Sequence, residues 1–290
     1  MSVRGWLLFA AMSVIWGIPY LLIKVAVEGL SVPVLVFART AVGALVLIPL
    51  TLRRSSWAPV LAQWKPVAAF AFFEIIAAWL LLSDAEQHIS SSLTGLLIAA
   101  SPIVAAVLDR LTGGGQPLTA KRLAGLAVGL SGVAVLAGPE LTGGSAWPVS
   151  EVLLVAVCYA IAPLIAARYL ADVPTMPMTA ACLGLAAIIY AGPAAATWPS
   201  AVPATRVVVS VALLAVVCTA LAFIVFFALI REVGAPRALV FTYVNPAVAL
   251  AAGVVVLGEP LTPWHLAGLA LILAGSVLAT RRLEPKIALS

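Results

Sequence analysis

Glu74 stands in the run Phe72-Phe73-Glu74-Ile75-Ile76, with apolar sequence on both sides. A carboxyl in such surroundings can hold a solute ammonium, take up and release a proton, or stay protonated and hydrogen-bond to a neighbouring helix. Helical spacing puts Ala77, Ala78 and Leu81 on the face of Glu74 at i+3, i+4 and i+7, leaving room beside the carboxyl, while Trp79 lies on a different face. Ser101, Thr242 and Asn245 are the other polar groups expected to meet a solute, and Asn245 needs partners because a buried amide is costly without them. Trp16 and Tyr20, four residues apart on one helical face, together with Tyr159 and Phe223, offer aromatic surface either for packing or for lining a pocket. The candidate solute-binding set is therefore Trp16, Tyr20, Glu74, Ala78, Ser101, Tyr159, Phe223, Thr242 and Asn245, with Glu74 also the candidate for proton coupling. No Ser/His pair at one depth, facing aspartates, metal-ligand cluster or phosphate loop is evident, so no catalytic residue, metal or cofactor is expected. Cys158, Cys182 and Cys218 are an odd three inside apolar runs and form no disulfide framework.

The elements that position these residues must lie in a bilayer. Of the 290 residues 64% are hydrophobic and 9% charged, against about 25% charged in a soluble chain. Ten apolar runs, approximately 4–23, 32–52, 66–83, 89–109, 122–138, 149–170, 176–197, 205–230, 236–257 and 263–280, have the length of membrane-crossing helices. They lack the alternation of a barrel strand, so the expected class is an all-helical integral membrane protein.

Ten crossings put both termini on one side, and the cations segregate accordingly. Arg4, Arg53, Arg54, Lys65, Arg110, Lys121, Arg122, Arg168, Arg231, Arg237, Arg281, Arg282 and Lys286 fall on the side of the termini, whereas Lys24 and Arg206 fall opposite. The positive-inside rule then predicts cytoplasmic termini. The net charge of +5 is read as a topology signal, and no nucleic-acid partner is expected. Lys24 and Arg39 lie toward the outer face, where long cationic chains snorkel and pair with carboxylates, which suggests a structural or gating role.

The chain repeats itself. Gly115-Gln116-Pro117-Leu118-Thr119 recurs as Gly258-Glu259-Pro260-Leu261-Thr262, and Leu123-Ala124-Gly125-Leu126-Ala127 as Leu266-Ala267-Gly268-Leu269-Ala270. With a one-residue gap, Ser101-Pro102 matches Asn245-Pro246, and Glu74 matches Cys218. Halves 1–143 and 144–290 each hold five crossings, an odd number, so the second half is inserted upside down. Pro19 and Pro163, and Pro102 and Pro246, are expected to break corresponding helices and to serve gating or structural roles, freeing backbone carbonyls toward a midplane site.

The Trp16-Gly17 pair with Lys24, Arg39 in the second run, and the Gly-Glu-Pro-Leu-Thr turn resemble the EamA type of the drug/metabolite transporter superfamily over nearly the whole chain. The resemblance implies two five-helix EamA repeats around a central cavity in a bacterial inner membrane. It also implies export or exchange of small organic metabolites such as amino acids, and inverted halves that can exchange conformations suit alternating access. A passive channel or a membrane assembly partner is the competing reading, with an intramembrane enzyme behind both. The sequence leaves monomer and homodimer open.

Overall fold

The computed structural model describes residues 1–52, 56–111, 119–142, 144 and 146–280, and these form helices with no strand among them. Arg53, Arg54, Arg281, Arg282 and Lys286 of the charge pattern, and Gln116 of the repeated turn, lie outside the described residues.

Among the described residues, eight helical segments are long and apolar enough to cross a membrane: α1 (Val3–Ala26), α2 (Val32–Leu52), α3 (Trp64–Ala85), α4 (Ser91–Leu108), α5 (Ala120–Pro139), α6 (Ala146–Tyr169), α7 (Thr175–Ala196) and α8 (Thr205–Val233). Two shorter apolar helices follow, α9 (Asn245–Leu257) and α10 (Pro263–Leu278). The run expected over 236–257 is not one helix. A short helix at Ala235–Ala238 and a 3-10 turn at Leu239–Tyr243 precede α9, whose first turn begins at Asn245-Pro246. Proline has no amide hydrogen to give a preceding turn and is tolerated in the first turn of a helix, so the restart falls there.

Other breaks follow the sequence unevenly. The helix of α1 stops at Ile15 and restarts at Pro19, and α4 pauses between Ile98 and Ser101, just before Pro102. Pro163 does not break its helix, because α6 runs unbroken from Ala146 to Tyr169. Two π-helical turns had no counterpart in the sequence reading, Phe72–Ile76 within α3 and Val216–Leu221 within α8.

The helices pack in pairs that draw on both parts of the chain: α2 against α7, α5 against α10, α4 against α9, α3 against α6 and α1 against α8. The α5–α10 pair meets so closely that a Cβ on Gly275 would lie 2.3 Å from the backbone nitrogen of Gly129. Apolar side chains such as Ile188 and Val255 point outward, 75% and 81% exposed, as a lipid-facing surface requires.

The two ends of the bundle differ. At one, Ser2 and Arg4 contact Glu232. At the other, here the distal end, Arg206 pairs with Glu28 at 2.7 Å and the Ser31 and Thr197 hydroxyls lie 2.7 Å apart.

Candidate functional site

A cavity of about 400 Å³ lies among α1, α2, α3, α4, α6, α8, α9 and α10. Its wall includes eight of the nine candidate solute-binding residues: Trp16, Tyr20, Glu74, Ser101, Tyr159, Phe223, Thr242 and Asn245. The four prolines 19, 102, 163 and 246 line it as well.

Ala78 does not, being fully buried in the core. The π-helical turn explains this. A π turn inserts one residue, so the positions that share the face of Glu74 move from i+4 and i+7 to i+5 and i+8. Trp79 and Leu82 therefore reach the cavity in place of Ala78 and Leu81. The second π turn does the same on α8, where Cys218 and Phe223, again five apart, both line the wall. Tyr190 holds the first turn from across the bundle, its hydroxyl donating to the Ile76 carbonyl at 2.8 Å.

Arg39, expected near the outer face, is a cavity residue. Only 7% of it is exposed. Its guanidinium carbon sits 3.6 Å from the ring centroid of Trp79, and Nε donates to Thr219 Oγ1 at 2.9 Å. Thr219 belongs to the second π turn and donates its own hydroxyl to the Leu214 carbonyl at 2.9 Å. The sequence reading missed Arg39 because a long cation seven residues into an apolar run resembles a snorkelling side chain. The missed signal was the absence of any carboxylate three or four residues away on α2.

Toward the end that carries the N-terminus the wall becomes aromatic. Trp16 contacts Phe223, Phe226 and Phe241, with ring centroids 5.8, 5.1 and 5.5 Å apart. Asn245 fixes the break of α9 to that of α1: oriented by its hydrogen-bond network, its amide nitrogen donates to the Ser13 and Phe241 carbonyls at 3.2 and 3.1 Å. Gly17 permits this approach, since a Cβ there would lie 2.5 Å from Val248.

Polar contacts gather at the distal end. Glu259 Oε1 accepts from the backbone nitrogen and hydroxyl of Ser91, at 2.8 and 2.9 Å. Glu259 Oε2 accepts from the backbone nitrogen of Ser92 at 2.9 Å and from the Ser92 hydroxyl. The carboxylate thus sits on the N-terminus of α4, where free amide hydrogens favour an anion. Burial alone would raise the Glu259 carboxyl, but the bonds from Ser92 and Ser91 outweigh it and hold the group below the usual carboxylate range. Gly258, in the left-handed region at φ 68°, ends α9 and turns the chain so that Glu259 reaches across. Lys24 does not pair with a carboxylate within ion-pair distance among the described residues. Its Nζ donates to the Glu86 and Ile89 carbonyls at 2.6 and 2.8 Å. The Glu86 carboxyl beside it is fully buried with no hydrogen-bond partner among the described residues, and that burial, opposed by Lys24, pushes it well above the usual range.

No group of three or more His, Cys, Asp or Glu suited to a metal ion occurs among the described residues.

Comparison with known proteins bears on what such a cavity does. The model of the EamA-like transporter family matches the chain twice, at residues 3–138 and 147–281. A probable terminal-alkyne amino-acid exporter of Streptantibioticus cattleyicolor is 30% identical over 283 residues, covering 93% of this chain and 91% of its own length. The uncharacterized inner membrane transporter YedA of Escherichia coli K12 is 25% identical over 276 residues, covering 93% and 88%. A solved crystal structure shares the fold with a TM-score of 0.68, over 98% of this chain and all of its own, at 21% identity.

Proposed function

We propose that this chain, which belongs to the EamA-like transporter family, is a secondary carrier that exports or exchanges small organic metabolites such as amino acids by alternating access. The observation that carries the reading is a cavity walled by both parts of the chain, with Glu74 and Arg39 in its wall and aromatic surface beside them. A solute of mixed character fits such a wall better than an ion or water does. The kinship to a probable amino-acid exporter points the same way.

Alternating access needs two halves that can exchange conformations. Ten crossings in two inverted repeats, 1–143 and 144–290, would supply them, with α9 and its preceding turns together making the ninth crossing. Helix pairing supports this: under an exchange of the halves, α2–α7, α4–α9 and α5–α10 map onto themselves and α1–α8 maps onto α3–α6. The π turns follow the same relation, since Glu74 and Trp79 stand 144 residues before Cys218 and Phe223. With cytoplasmic termini, the clamp on Ser91 and Ser92 would close the cavity on the outer side.

Within the cavity Glu74 is assigned the solute ammonium or a carried proton. Purified protein in liposomes tests the reading. Saturable uptake of one or more radiolabelled L-amino acids supports it, whereas no uptake across amino acids and aromatic or basic amines, or flux linear in concentration, rejects it.

A further inference from the structure

Arg39 is more than nine-tenths buried and has no carboxylate within ion-pair distance among the described residues. The Glu86 carboxyl makes no ion pair with it among the described residues. An unpaired buried charge is expensive unless something in the site answers it. The surroundings fix how it can be answered. Trp79 covers a face of the guanidinium, and Thr219, whose hydroxyl hydrogen is already committed to Leu214, accepts from Nε on one edge. The two terminal nitrogens have no hydrogen-bond partner among the described residues, in a side chain that lines the cavity. A guanidinium held by its face and Nε, with both terminal nitrogens free, is the geometry that binds a carboxylate through two parallel bonds.

We infer that Arg39 is the specificity-determining residue for a solute carboxylate and that Thr219, reaching it from the second π turn, is its positioning residue. The inference rests on the carrier reading above and adds to it the group on the solute that is read and the residue that reads it. Trp79 stacks on the cation and adds a cation–π contact without consuming a donor. Because Arg39 lies on α2 and Thr219 on α8, the hydrogen bond also ties solute recognition to the packing of one half on the other.

The test uses the full-length protein in liposomes and radiolabelled probes in matched sets: an L-amino acid, its carboxamide and the corresponding decarboxylated amine, for phenylalanine, leucine and alanine. The wild type should carry at least one acid and take up its amide and amine roughly tenfold to a hundredfold less well, the range of a charge-assisted hydrogen bond. Arg39→Lys keeps the charge but loses the fork, and should reduce transport of the acid by about tenfold or more. Thr219→Val should raise KM for the acid about tenfold with kcat largely kept, and Thr219→Ser should restore it. The wild-type comparison needs no substitution, so it stands even if a variant fails to insert. Amides and amines carried as well as the acids, or Arg39→Lys at the wild-type rate, would overturn the inference and leave the carrier reading intact. A wild type that carries nothing in the panel would overturn the carrier reading and the inference with it.

Discussion

Glu74 and Cys218 occupy corresponding π-helical turns, yet only one carries a carboxyl. The π turn is thus common to both halves and the acid is not, and on the carrier reading the acid serves the solute or a proton. Glu74→Gln keeps the size and hydrogen-bonding capacity of the side chain while removing its charge, so insertion should be unchanged. Flux of amine-bearing solutes should fall about tenfold or more. If a proton is carried, wild-type flux should vary between roughly pH 5 and 8 and the Gln variant should lose that variation. Wild-type rates with an unchanged pH profile in the variant would make Glu74 structural. The sequence alone was enough to single out this residue, because an isolated carboxyl between Phe73 and Ile75 cannot face lipid cheaply. Its neighbours were less legible: Ala78 and Trp79 exchanged roles because nothing in Phe72–Ile76 announces a π turn, and a one-residue insertion changes every facing position after it.

At the scale of the elements, Glu259 clamps the first turn of α4 at the distal end, and the carrier reading makes this clamp the closure of the cavity on that side. Each bond to the carboxylate is worth roughly 1.5–3 kcal/mol, so Glu259→Ala should loosen that end measurably. A cysteine at the wall position Ser101, in a background without the three native cysteines, reads this out. Its labelling by an impermeant thiol reagent from the distal side should rise severalfold in the Glu259→Ala variant, and an unchanged rate would mean the clamp does not hold the cavity shut. Acid should act in the same direction. The Glu259 carboxyl is held below its ordinary range, so its contribution is present above that range and is lost as pH falls through the lowered value. The Gly-Glu-Pro-Leu-Thr motif, matched by Gly115-Gln116-Pro117-Leu118-Thr119 in the first half, was visible in the sequence as a turn. Its grip on Ser91 and Ser92 was not, because a contact spanning 168 residues has no local signature. Proline was an uneven guide to helix breaks: Pro19, Pro102 and Pro246 stand at restarts, while Pro163 sits inside the unbroken α6.

The molecule as a whole was legible chiefly through composition and repetition, since lipid demands long apolar helices and Ser101-Pro102 and Asn245-Pro246 both fall at helix restarts on the cavity wall. The orientation rests on charge and is open to direct measurement. Cysteines at Gln63 and Ser200, both exposed, should label from opposite sides of the membrane, Gln63 from the cytoplasm, and same-side labelling would undo the inverted arrangement. The central claim is that one cavity between two halves carries a solute across. Counterflow in proteoliposomes tests it most directly. Vesicles preloaded with an unlabelled transported L-amino acid should accumulate the labelled form transiently above its equilibrium level, because a loaded site returns with its cargo. Uptake that only rises to equilibrium, unaffected by preloading and proportional to concentration, would contradict the account.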